Sequence, residues 1–253
     1  MLKSDLPSKT ARPGTGAKSS RSAAAAKPKS RPRDAIATAE RILNAAIVEF
    51  AENGYAGARI DAIARGAQVN MRMLYHYFGS KDAVYCRVLE TVFNDIRLQE
   101  QRLKLSDRPP LEAVTKLFEF TYNHFAANPL FIRILAHENL LGAKYLTRSK
   151  HVSTLSSPLL VAIREALSRG EADGVFRRGI DPLQLYVSMV ALSYFHISNA
   201  PTLSHLFGTS LTAAQWKAQR RKHATEMMIA FLSFEPSAES GRKQKAAPRL
   251  RSR

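Results

Sequence analysis

Residues 70–81 read NMRMLYHYFGSK. On a helix, Leu74 and Phe78 fall four apart and make a narrow apolar stripe, while Arg72, Tyr75 and His76 share another face through their three- and four-residue spacing. Met73 and Tyr77 flank that second face. A short core helix has no use for so many rings with polar tips. Tyrosine hydroxyls, an imidazole and a guanidinium donate to phosphates and base edges, and methionine or ring carbons meet thymine methyls. Asn70 suits the cap of this helix, because its side chain accepts a backbone N–H there. Gly79 ends it. Ser80 caps the next helix, predicted over 81–105.

Upstream, residues 38–54 carry Ala39, Ile42, Leu43, Ala46, Ile47 and Phe50 at the spacing of an amphipathic helix. Asn53-Gly54 stops it, with glycine supplying a left-handed terminal conformation. A second helix is predicted over 59–66, with Ile60, Ile63 and Ala64 inward. The turn Ala67-Gln68-Val69 joins it to the helix at 70–78. Two short helices linked by so few residues match a helix-turn-helix, whose second member lies in a DNA major groove. Asn70, Met71, Arg72, Met73, Tyr75, His76 and Tyr77 are then the candidate DNA contacts. Lys81, at the start of the next helix, reaches toward a phosphate alongside that helix's own N–H groups.

Downstream, Asp107-Arg108-Pro109-Pro110 is a break. Beyond it only helical periodicity appears, over 111–127, 129–141, 152–170, 182–199, 201–207 and 213–233, with Pro129, Pro182 and Pro201 at first-turn positions. The fold class is therefore all-α: an N-terminal three-helix DNA-binding domain over 34–80 and a helical bundle over 81–235.

The formal charge of +17 is unevenly spread. Residues 1–33 hold nine Lys or Arg against one Asp, and residues 236–253 hold six against one Glu, so the body is nearly neutral. Both tails are too poor in apolar residues to offset chain entropy and are expected to be disordered basic arms. Such arms attract polyanions. Arg31 and Arg33, placed just before the first helix, suit an adjacent minor groove. The one cysteine, Cys86, precludes an intramolecular disulfide and favours a reducing compartment. With no signal-peptide core and no long apolar run, the protein is expected in the cytoplasm.

No catalytic constellation emerges. GTGAKSS at 14–20 lacks an adjacent Gly-Lys and a preceding strand, and HENLL at 137–141 lacks the second histidine of a zinc-protease helix. No metal or cofactor is called for. A nonspecific nucleic-acid packaging protein is the alternative, suggested by SAAAAKPKSRPR at 22–33. A membrane-surface role for the tails is weaker.

The stretch RILNAAIVEFAENGYAGARIDAIARGAQVNMRMLYHYFGSKDAVY, Arg41 to Tyr85, resembles the TetR family of bacterial transcriptional repressors, above all in LYHYFGSKDAV. Three positions depart from the family's pattern. Gln68 replaces the turn glycine, where a left-handed backbone costs roughly 1 kcal/mol. Ala58-Arg59 replaces a Thr-Thr pair, so Arg59 is expected to meet phosphate by charge. Met73 replaces a common threonine. The resemblance implies a homodimer on a palindromic operator, with a C-terminal domain that binds a small effector and releases DNA. The stretches ILAHENLLGAKYL and GVFRRGIDPLQLYVSMVALSYFHISNAPTLSHLFG, with the closing helix, are similar to one branch of that family.

The 182–199 helix is apolar nearly all round, and the last helix carries Trp216, Ala224, Met227, Met228, Phe231 and Leu232. Both are expected at the dimer interface. Candidate effector-binding residues, polar groups on otherwise apolar faces, are His124, Arg133, His137, Glu138, Asn139, Tyr194, His196 and Asn199. Arg133 and His137, four apart, suit an effector carboxylate.

Overall fold

The computed structural model describes residues 32–149 and 157–233. Both predicted basic arms therefore fall outside the described residues, apart from Pro32 and Arg33. Among the described residues there are ten α-helices and no strands. They are α1 (Pro32–Gly57), α2 (Ile60–Gly66), α3 (Met71–Phe78), α4 (Lys81–Gln101), α5 (Pro110–Ala127), α6 (Pro129–Leu140), α7 (Ser157–Ala172), α8 (Pro182–Ser198), α9 (Ala200–Phe207) and α10 (Ala214–Ser233).

Helix starts follow the local chemistry. Proline opens α5, α6 and α8, where its missing N–H is harmless. Ser80 Oγ accepts from Ala83 N at 3.1 Å, and Asp181 Oδ1 accepts from Gln184 N at 2.8 Å. These contacts satisfy donors that a helix leaves orphaned.

The helix start predicted at 152 lies outside the described residues, and several boundaries differ from the sequence reading, three of them on α1 and α4. α1 begins at Pro32, so Arg33 stands in its first turn instead of preceding the helix. Of the two arginines expected to enter a minor groove, Arg31 alone precedes the helix in sequence. α4 stops at Gln101 and not at 105, because Lys104 takes a left-handed conformation (φ 50) that leads into a 3₁₀ turn at Leu105–Asp107. Gly54 does break α1, but at φ 64 and ψ 179 it is extended in ψ, and a further turn to Gly57 follows.

Two large cores result. The amino-terminal one gathers Ile42, Phe50, Ile63, Leu74, Val84, Tyr85 and Leu89 with Ile134 of α6 and Tyr145. The carboxy-terminal one centres on α5, whose Val114, Leu117 and Phe118 meet Ile163 and Leu167 of α7, Leu185 and Met189 of α8, and Ala224 and Met228 of α10. α4 runs between them, its Ile96 packing with Phe125, Phe131 and Ile132.

Rings and one buried carboxylate tie α6 and the turn after it to the amino-terminal core. Tyr145 sits 4.5 Å from Tyr55 and 5.1 Å from Tyr85, centroid to centroid. Glu138, fully buried, accepts from Tyr145 N at 2.7 Å and Leu146 N at 2.9 Å, fixing the turn that delivers Tyr145. Arg148 pairs with Asp82 at 2.9 Å, and Asp82 also accepts from the Tyr55 hydroxyl. Those two donors hold the Asp82 carboxyl below its usual range, Tyr55 first.

Candidate nucleic-acid interface

The turn between α2 and α3 is tight. Gln68 adopts φ 56, its N–H donating to Arg65 O at 3.1 Å, while Val69 N donates to Ala64 O at 2.9 Å. The left-handed conformation expected of the missing glycine is thus carried by glutamine. Asn70 Oδ1 then accepts from Met73 N at 2.8 Å and starts α3. Leu74 is fully buried and anchors the helix. Phe78 and Tyr77 pack partly against the same core.

That anchoring turns the remaining side chains outward. Met71, Arg72, Met73, Tyr75 and His76 are exposed, Tyr75 to 45%. Tyr77 is half-buried, its ring edge-on to His76 at 5.7 Å. Asn70 is exposed but its carbonyl oxygen is engaged in the cap. Arg59 lies exposed before α2, where it and Arg65 share Asp61 at 3.0 and 3.2 Å. Exposed pairs of this kind are weak and open readily to a phosphate. Lys81 behaves differently from the expectation of a phosphate contact. Its ammonium donates to Ala58 O at 2.6 Å and lies 4.9 Å from the Tyr55 ring, so it ties α4 to the α1–α2 connection. Arg31 lies outside the described residues.

The eight effector candidates do not come together. His124 borders a cavity of about 400 Å³ shared with Ile47, Thr91, Asp95 and Phe131. His196 borders another, of about 450 Å³, with Phe195, Phe207, Trp216 and Arg220. Tyr194 is half-buried, edge-on to Phe125 at 6.1 Å. Asn199 donates to Phe195 O at 3.0 Å, finishing α8. Arg133 and Asn139 are exposed, and His137 is turned against Gly54. Arg133 and His137 border neither of these cavities, so a carboxylate clamp made of the pair has no walls there. Glu138 is committed to the turn at Tyr145.

Burial pulls the His196 pKa down to about 4, with the charge of Arg220 adding to the effect, and burial lowers His124 as well. The sign follows. The unfolded chain binds protons first as pH falls, so stability is full above about 6.5 and declines toward 4. Wild-type protein should lose about 1–2 kcal/mol through His196 alone between roughly pH 7 and pH 5. In urea unfolding at both pH values, His196→Phe should shrink the loss by that amount. Parallel losses in the two proteins would count against this assignment.

One polar cluster was missed from sequence. Arg97 and Glu100 of α4 are both buried and joined at 2.5 Å, and Arg97 also donates to the Tyr186 hydroxyl at 3.1 Å. Burial raises the Glu100 pKa, Arg97 offsetting only part of it. Arg97 Nε and Glu100 Oε1 lack a hydrogen-bond partner among the described residues. Each such buried orphan costs about 1–3 kcal/mol. The signal was present in the spacing: Tyr85, Leu89, Phe93, Ile96 and Glu100 follow one stripe of α4, which places a carboxylate on the buried side.

A capped, outward-facing α3 on a three-helix core, carried by a second helical domain, defines a helix-turn-helix transcriptional regulator. Residues 42–88 match the bacterial regulatory proteins of the tetR family, and residues 110–228 match a tetracyclin repressor-like C-terminal domain. The chain is 34% identical over 188 residues to the HTH-type transcriptional repressor NicS of Pseudomonas putida, a match covering 74% of this chain and 89% of that one. It is 30% identical over 183 residues to the HTH-type transcriptional regulator RutR of Escherichia coli, covering 72% and 84%. The crystal structure of SCO4942 from Streptomyces coelicolor, a transcriptional regulator by its description, shares the fold with a TM-score of 0.59 at 21% identity, over 77% of this chain and 98% of that one. The chain belongs to the TetR family and is a DNA-binding transcriptional regulator, not an enzyme. Among the described residues no helix is long and apolar enough to cross a membrane.

Proposed function

We propose that the protein is a homodimeric repressor that holds a palindromic operator through α3 and leaves it when a small molecule binds the C-terminal domain. The observation that carries this reading is the face of Arg72, Tyr75 and His76, held outward by buried Leu74. The name of the Pseudomonas putida relative, a transcriptional repressor, supports the sign of regulation. A single cysteine supports a cytoplasmic setting.

A two-fold dimer sets two reading helices one DNA turn apart. Neighbouring helices α8 and α10 supply its face. Val187 on α8 is 54% exposed and Leu183 lies four residues before it. Phe231 on α10 is 43% exposed, with Met227 four residues before. Apolar side chains so arranged call for a second copy. α4, packed against both cores, is the element through which effector binding alters the spacing of the reading helices. A ligand preferring the splayed dimer by a few kcal/mol suffices to empty the operator.

The test begins with DNA selected from a random pool. The full chain should enrich a palindrome with half-sites one turn apart. Val187→Glu with Phe231→Glu should give a monomer in sedimentation, with operator affinity reduced by about two orders of magnitude, since half-sites no longer act together. A monomeric variant with full affinity would overturn the dimer reading. Absence of any enriched sequence would favour nonspecific packaging. Removing residues 1–33, with nine basic side chains, should flatten the dependence of log affinity on log salt. An unchanged slope would show that the arm makes no phosphate contact.

A further inference from the structure

Residues 42–88 and 110–228 carry the family's two domains, and a basic segment lies beyond both. Over residues 242–253 stand Arg242, Lys243, Lys245, Arg249, Arg251 and Arg253, with no acidic residue among them. The body offers these cations no net negative charge, because residues 34–235 are themselves positive by four. The reading of DNA by α3 does not account for them.

Hydrogen bonds fix where the chain departs toward this segment. α10 ends at Ser233. Arg177 N donates to Leu232 O at 2.8 Å, Phe176 N to Gly170 O at 2.9 Å, and Arg169 to Leu105 O at 3.2 Å. The end of α10 therefore lies on the side of Leu105, just past the carboxy-terminal end of α4. The reading helix is at the opposite end of α4, since only Gly79 and Ser80 separate α3 from Lys81. With 21 residues, α4 spans roughly 30 Å. A duplex under α3 lies about one helix diameter, ~10 Å, further away. A fully extended chain covers at most ~3.3–3.6 Å per residue, so Arg242 and Lys243 come no further than roughly 30–36 Å from Ser233. They fall short of the operator.

We propose that residues 242–253 bind the phosphates of a second DNA duplex, so that the chain joins its operator to another segment of DNA, on the same molecule or a different one. This goes beyond the repressor reading and needs neither its dimer nor its effector.

Composition selects duplex DNA among polyanions. Single-stranded nucleic acid is held by stacking on aromatic rings, and residues 242–253 contain none. A membrane surface takes a broad apolar face beside the cations, and Leu250 is the one large apolar side chain here. Arg and Lys interleaved with Gln, Ala, Pro and Ser meet phosphate by charge, without reading sequence. DNA is also the polyanion nearest at hand: a chain held on its operator meets neighbouring DNA at a high effective concentration.

The experiment loads the full chain on bead-held operator duplex and adds a fluorescent duplex that lacks the operator. Wild type should capture the second duplex at about 50 mM salt. Its affinity for that duplex, per operator-bound chain, should fall by about three orders of magnitude by about 200 mM, the counterion release expected for six phosphates. Arg242→Gln, Lys243→Gln, Lys245→Gln, Arg249→Gln, Arg251→Gln and Arg253→Gln together should lower capture at least about ten-fold at the lower salt. Operator affinity of the same variant, measured in solution on a short duplex, should stay within about two-fold of wild type. Arg242→Lys, Arg249→Lys, Arg251→Lys and Arg253→Lys together should keep capture, since charge is what the site uses. Absence of capture by wild type, or equal capture by the glutamine variant, overturns the proposal. A matching loss of operator affinity in that variant also overturns it, by placing the segment on the operator itself. So does displacement of the second duplex by single-stranded RNA or phosphatidylserine vesicles more than about ten-fold better than by duplex DNA of equal phosphate content, which would assign the segment to RNA or to a membrane surface.

Discussion

Replacing Arg72, Tyr75 and His76 together by alanine should erase discrimination between the selected operator and a scrambled duplex, with little change in stability. All three side chains are exposed on α3, and Leu74, which holds the helix to its core, is untouched. Alanine is the best helix former, so α3 should persist. Each good base contact contributes about 1–3 kcal/mol of discrimination. Loss of three, allowing for non-additivity, should lower the specificity ratio by about three orders of magnitude or more. Affinity for scrambled DNA should fall much less, because the phosphate contacts proposed for α4's first turn, Arg59 and the amino-terminal arm are left in place. Fluorescence anisotropy with both duplexes at one salt concentration reads the ratio directly. A ratio unchanged within two-fold would mean that α3 does not face base edges.

Much of this surface was legible because its determinants are local. The spacing of Ile42, Ala46 and Phe50, the caps at Asn70 and Ser80, and Leu74 opposite Arg72 are set by residues within a turn or two of each other. The left-handed Gln68 was legible through the resemblance, which puts a turn glycine at that position. The C-terminal sites were less so because they depend on which helices meet. Arg97 belongs to a buried polar cluster only once α8 brings Tyr186 beside it, 89 residues away. Glu138 looked like a ligand group, yet a turn seven residues on claims its carboxylate. The same holds for Lys81: its engagement by Ala58 O follows from the path of the α1–α2 connection, not from its place at a helix start. Of the polar residues singled out on apolar stripes, His124, Glu138 and His196 are buried, whereas Arg133 and Asn139 are exposed. What surrounds the buried ones lay beyond the reach of periodicity.

Gly54→Ala should be the most damaging single substitution at the junction of the two domains. At φ 64 and ψ 179 the residue occupies a region essentially restricted to glycine. Holding alanine there costs about 1–3 kcal/mol. The new Cβ would also lie 2.9 Å from His137 Nδ1 and 3.1 Å from Cε1, forcing the ring or α6 to move. Overpacking of this kind adds about 1–3 kcal/mol. A total of about 2–6 kcal/mol is expected, a large share of the ~5–15 kcal/mol that holds a domain folded. The effect should reach the reading surface, because Gly54 precedes Tyr55, whose ring packs on Tyr85 and Tyr145 and whose hydroxyl donates to Asp82. Gly57→Ala is the matched control: its backbone is not left-handed, and its Cβ would meet only Asn53 Cβ at an ordinary 3.4 Å. Urea unfolding of Gly54→Ala, His137→Ala and the double variant separates the two causes. The double variant should recover the steric share, at least about 1 kcal/mol of coupling, and keep the backbone share. If Gly54→Ala unfolded at the same urea concentration as Gly57→Ala, the backbone at residue 54 would have to be regular helix, and the contact between α1 and His137 could not be the joint that fixes the reading domain on the C-terminal bundle.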